Sequence, residues 1–162
     1  MLGACRPASA EEIPLGSHGS TYSVAVRLND AITLNFLLDT GASDVALPGD
    51  VVSTRLRTGT LTERDFVGSA TYLLADGSKL PSLRFILREV RVGNQSARNV
   101  VANVSPVRGE PLLGQGFLSR LPPWTIDYRR HALVIIGATP SPTVAISPHR
   151  SRCRPAHRFP LW

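Results

Sequence analysis

One carboxylate in the 162-residue chain stands between two apolar runs: Asp39, in the stretch Phe36-Leu37-Leu38-Asp39-Thr40-Gly41-Ala42-Ser43-Asp44-Val45-Ala46-Leu47. A carboxylate delivered to an apolar setting is costly unless it is hydrogen-bonded, paired or protonated. The residues after it are suited to compensate. Gly41 lets backbone amides approach without an intervening side chain, and the hydroxyls of Thr40 and Ser43 can donate further hydrogen bonds. Asp-Thr-Gly by itself also serves as an ordinary turn, with Asp capping and Gly reversing the chain, so its meaning depends on what surrounds it.

The elements that must position Asp39 are legible as short strands. Leu34, Phe36, Leu37 and Leu38 read as a buried strand that ends where small residues turn the chain, so the carboxylate sits at the end of a core strand. Upstream, Thr21 to Leu28 alternates and places Tyr22, Val24, Val26 and Leu28 on one face; Asn29-Asp30 turns it into a second arm, Ala31 to Leu38. Downstream, residues 50–56 are expected to form one or two helical turns with Asp50 as cap, and 57–65 an exposed loop. Phe66 to Leu80 reads as a hairpin turned at Ala75-Asp76-Gly77-Ser78. Leu83 to Val92 and Ala97 to Val104 form a meander turned at Gly93-Asn94-Gln95, with an exposed connection over 105–111. Pro111-Leu112-Leu113-Gly114-Gln115-Gly116-Phe117-Leu118 reads as a buried strand closed by a turn, and 124–128 with 132–136 makes a last hairpin.

Composition agrees with this pattern. Thirteen Gly, thirteen Pro and 43% hydrophobic residues without a long 3.6-residue stripe favour one all-β domain of short strands. No run reaches the length needed to span a bilayer.

Hydrophobic-hydrophobic-Asp39-Thr40-Gly41-Ala42-Ser43 followed by Val45-Ala46-Leu47 resembles the active-site loop of the aspartic proteases, and the chain length points to the retroviral-type, retropepsin-like branch. Leu112-Leu113-Gly114, with a short helix after it carrying Phe117, Leu118 and Leu121, resembles the second element of that family, where a strand runs under the catalytic loop. The resemblance covers about residues 21–137 and implies a closed acid-protease β-barrel with one short helix after Leu-Leu-Gly. The 66–80 hairpin takes the position of the flap that closes over bound peptide, although its tip carries the single glycine Gly77.

The family chemistry needs two adjacent carboxylates sharing one proton, because two like charges so close cannot both ionise. The chain has one Asp-Thr-Gly; Asp50, Asp76 and Asp127 lack the motif. The resemblance therefore implies an isologous homodimer with Asp39 from each subunit in one site, acting on a peptide or protein substrate without cofactor or metal. Thr40 would lock the two loops across the axis, Gly41 would meet the substrate backbone, and Ser43 would support the carboxylate. Ala42, Asp44, Tyr72, Leu73 and Leu74 would line subsites along an extended peptide bound as an added strand. A dimerisation or peptide-binding module that keeps the fold without catalysis is the alternative, distinguished by the absence of coupled carboxylate titration.

The ends carry little chemistry. Residues 1–20 read as a flexible lead-in and 138–162 as a basic Pro/Arg-rich tail, expected to be disordered. Arg150, Arg152, Arg154 and Arg158 supply four of the six net positive charges, so the body is nearly neutral. A nucleic-acid-binding β-barrel is disfavoured on that ground, and specific nucleic acid binding is not expected. Cys5 and Cys153 make no disulfide framework or zinc spacing. Leu2-Gly3-Ala4-Cys5 resembles the end of a lipoprotein signal, but the charged and apolar regions of a signal do not precede it; a periplasmic or membrane-anchored location requires such a segment upstream, and a cytoplasmic one follows otherwise.

Overall fold

The structure, a computed structural model, describes residues 10–137. Cys5, Cys153 and the basic tail lie outside them. Eleven strands alternate with two helices in the order β1 (Ala10–Pro14), β2 (Gly16–His18), β3 (Thr21–Leu28), β4 (Ile32–Leu38), β5 (Val45–Pro48), α1 (Gly49–Arg57), β6 (Phe66–Leu73), β7 (Lys79–Val92), β8 (Gln95–Ser105), β9 (Leu112–Leu113), α2 (Gln115–Leu118), β10 (Trp124–Asp127) and β11 (Ala132–Ile136).

The main sheet runs β2-β3-β4-β9-β5-β8-β7-β6, and β3 also pairs with β7, so six strands from β3 through β7 close on themselves. Closure falls at Arg27 opposite Arg91 and Leu28 opposite Val90. Two facing guanidinium groups would repel there. Asp30 takes Arg27 at 2.7 Å and Glu89 takes Arg91 at 2.9 Å, which relieves it. The adjacent turn uses Asn29 (φ 48°) and Asp30 (φ 55°), residue types that accept the left-handed region. Inside, Val24, Val26, Leu28, Phe36, Leu47, Phe85, Leu87 and Leu113 are all buried, as period-two alternation on β3 requires.

Four expectations are corrected. Residues 10–18 are not a loose lead-in: β1 pairs antiparallel with β11, β2 with β3, and Ile13 and Leu15 are buried. Glu11 secures this segment by accepting from the Asn94 amide at 2.6 Å and the Gln95 side chain at 2.7 Å. The helix over 49–57 has Pro48 at its N-cap position, with no side-chain capping bond, and Asp50 lies in its first turn. A short 3₁₀ turn, Glu63–Asp65, interrupts the predicted 57–65 loop. Finally, the flap hairpin and the following meander share one 14-residue strand, β7. Pro81 does not break it, because β7 there has only β6 beside it and owes no second ladder bond; pairing with β8 begins at Arg84 opposite Asn103.

Candidate active site

β4 delivers Asp39 to the surface end of the barrel, where it is half-buried. Its Oδ1 accepts hydrogen bonds from the amides of Gly41 at 2.9 Å and Ala42 at 3.2 Å. The compensation thus comes from the main chain, not from the expected hydroxyls of Thr40 and Ser43. The turn brings two amides within reach of one oxygen, which leaves no geometric need for a side-chain donor. Both hydroxyl residues are exposed.

Beneath the loop runs β9. Leu37 and Leu38 pair in parallel with Leu112 and Leu113, and the Asp39 amide donates to the Leu113 carbonyl at 3.2 Å. The chain then turns into α2, whose first amides lack partners within the helix. The loop supplies them: Gln115 N–H donates to the Ala42 carbonyl and Gly116 N–H to the Ser43 carbonyl, each at 2.8 Å. The Gln115 side-chain amide adds a bond to the Thr40 carbonyl at 3.0 Å. This contact demands glycine at 114, where a Cβ would overlap the Asp44 carbonyl oxygen and stand 2.7 Å from that of Ala42.

Over the loop stands the β6–β7 hairpin, and between them lies a groove of about 640 Å³. Asp39, Gly41, Ala42, Ser43, Asp44, Tyr72, Leu73 and Leu74 all line it. Thr40 does not, and is exposed outside the groove. Among the described residues no cluster of His, Cys, Asp and Glu is arranged to hold a metal ion, and no helix is long and apolar enough to cross a membrane.

Residues 24–120, more than half of the chain, match the model of the family described as "gag-polyprotein putative aspartyl protease". The chain belongs to the retropepsin-like aspartic proteases. This is a family of peptide hydrolases. In fold the chain is similar to the crystal structure of a retropepsin-like aspartic protease from Rickettsia conorii, with TM-score 0.55 and 22% identity over 78% of this chain and 98% of that one. No curated protein sequence matches it.

Within this retropepsin-like site the charged contact is between loop and hairpin. The Tyr72 hydroxyl donates to Asp44 Oδ2 at 2.6 Å, and Arg84 Nε lies 3.7 Å from the same oxygen. Burial pushes the Tyr72 phenol up to about 12, the bond to Asp44 and the charge of Asp44 add to the shift, and Arg84 opposes it. Sequence reasoning did not find Arg84, Gln115, or the groove residues Asn103 and Ser105. Asn103 and Ser105 reach the groove because β8 pairs in parallel with β5, Asn103 beside Ala46 and Ser105 beside Pro48. Parallel pairing between segments so far apart leaves no local signal. Gln115 follows the Leu-Leu-Gly element directly, and its position at the start of a helix was the available clue.

Proposed function

We propose that the protein is an aspartic endopeptidase that works as a homodimer, with Asp39 of each chain facing its mate across a two-fold axis. The observation that carries the reading is the state of the Asp39 carboxylate. Amides fix its Oδ1, while its Oδ2 accepts no hydrogen bond from the described residues, on a side chain that lines the groove. A carboxylate oriented through one oxygen and open at the other is suited to proton transfer. The single Asp-Thr-Gly in the sequence supplies half of a dyad, and a second copy supplies the other half.

In that dimer one Asp39 takes a proton from water as the water oxygen attacks the scissile carbonyl carbon, and its mate gives its proton to the carbonyl oxygen. The departing amine nitrogen is then protonated as the C–N bond breaks. Thr40, exposed beside the groove, belongs to the facing loops at the axis. Extended peptide adds as a strand between hairpin and loop, with Ala42, Leu73 and Leu74 against its side chains. The test is digestion of a peptide library by wild type and Asp39→Asn side by side. Wild type is expected to cleave, and the variant to lose on the order of 10³-fold in turnover with its fold retained. Equal cleavage by the two would overturn the assignment.

A further inference from the structure

We propose that Tyr72, Asp44 and Arg84 form a pivot that fixes the root of the β6–β7 hairpin to the Asp39 loop, so that only the tip, residues 73–79, opens for substrate. Asp44 and Tyr72 are then positioning residues for the flap and do not read a substrate side chain. The proposal rests on the endopeptidase reading for its kinetic part alone.

Three observations converge on it. Asp44 belongs to the loop that carries Asp39, while Tyr72 and Arg84 stand on the two arms of the hairpin, Tyr72 opposite Leu80 and Arg84 opposite Gly68. One carboxylate oxygen therefore grips both arms. The 2.6 Å bond from Tyr72 is a short, charge-assisted one; Arg84 at 3.7 Å is too far for a hydrogen bond and acts through its charge. The Asp44 side chain is only 17% exposed, and Arg84 Nε is buried without a hydrogen-bond partner, so a cationic substrate side chain in the groove would meet a carboxylate already engaged by Tyr72 and already facing a positive charge.

The root is held again further along, where the Ser82 hydroxyl donates to the Val104 carbonyl on β8 at 2.5 Å. Among the described residues the tip is tied only to itself: Leu74 N–H to the Ser78 carbonyl, Gly77 N–H to the Leu74 carbonyl, and the Ser78 amide and hydroxyl to Asp76. Leu73 is 73% exposed and Leu74 42%. Local opening follows the weaker ties, so the boundary between moving and fixed chain falls just after Tyr72.

The experiment uses the full chain as Tyr72→Phe, Asp44→Asn and Asp44→Ala. Amide hydrogen exchange is read without peptide. Tyr72→Phe is expected to speed exchange over 66–72 and 80–84 by about tenfold while β3 and β4 stay unchanged, and Asp44→Asn, which keeps an acceptor, to speed it less than Asp44→Ala. In cleavage assays Tyr72→Phe raises KM about tenfold with kcat changed less than about threefold, since the flap holds ground and transition states alike. Across peptides differing at one side chain, the rank order of kcat/KM stays that of wild type in every variant. Unchanged hairpin exchange in Tyr72→Phe, or a reordered preference in Asp44→Asn, overturns the pivot. If no peptide is cleaved by wild type, the endopeptidase reading fails, and the exchange data still decide the pivot.

Discussion

The Tyr72 hydroxyl and the Cα of Gly114 touch the Asp39 loop from opposite sides, and each permits a sharp test. The folded protein favours the protonated phenol, so the stabilisation it gives is complete below the ordinary tyrosine value of about 10 and is lost as pH rises through about 12. Spectrophotometric titration should show one tyrosinate forming near pH 12, and Tyr72→Phe should remove that late step. Gly114→Ala should destabilise the protein by about 3 kcal/mol or more in denaturant unfolding, because the new methyl meets the carbonyl oxygens of Asp44 and Ala42, the latter held in place by the Gln115 amide. At this scale the sequence exposed what is local. Asp39, Gly41 and Ala42 lie within one turn, and that turn could be read from residue types. Which donor reaches the carboxylate could not: amides and hydroxyls in Thr40-Gly41-Ala42-Ser43 compete, and only backbone geometry decides between them. Arg84 was hidden for a different reason, since it lies 40 positions from Asp44 on a strand whose alternation says nothing about its partner.

Among the elements, β1 and the hairpin tip behave differently from what their composition implies. The Pro, Ser and Gly around residues 7–19 look like a leader, yet Ile13 packs into the core and β1 covers the edge of β11. Ile13→Ala should therefore cost about 2–4 kcal/mol in unfolding, where a loose leader would give no change. The reason β1 escaped notice is that its pairing partner comes more than a hundred residues later. At the tip, the Ser78 hydroxyl first and the Ser78 amide second hold the Asp76 carboxyl below its ordinary range. Because the folded value is depressed, the ordering that this bond gives is present above the ordinary carboxylate value and fades as pH falls through the lowered one. In an NMR titration the Ser78 amide signal should move with the Asp76 carboxyl at acid pH, and Asp76→Asn should abolish that movement.

For the whole molecule, assembly and activity are one question. If each subunit gives one Asp39, specific activity should fall on dilution as dimers dissociate, tracked by sedimentation at the same concentrations. Excess Asp39→Asn chain mixed with wild type should suppress cleavage by capturing wild-type subunits in half-equipped pairs; constant activity in both experiments would point to a site within one chain. Across the molecule, the hairpin pairs β3–β4, β6–β7, β7–β8 and β10–β11 were legible, whereas the β3–β7 closure, the parallel pairs of β4 with β9 and β5 with β8, and the β5–β9 contact had to come from the structure.

The parallel contact of Leu38 with Leu113 has a consequence in time. Its two sides are separated by most of the barrel, and contacts so distant in sequence are late to form. During synthesis Asp39 leaves the ribosome long before Gln115 and Gly116, the residues whose amides fix the carbonyls of its loop. A nascent chain thus carries its carboxylate without the frame around it, and the loop is completed only when nearly all of the barrel is available to fold. On the endopeptidase reading the ordering is a built-in delay: a growing polypeptide has no framed Asp39 loop until the Gln115 and Gly116 amides reach its carbonyls.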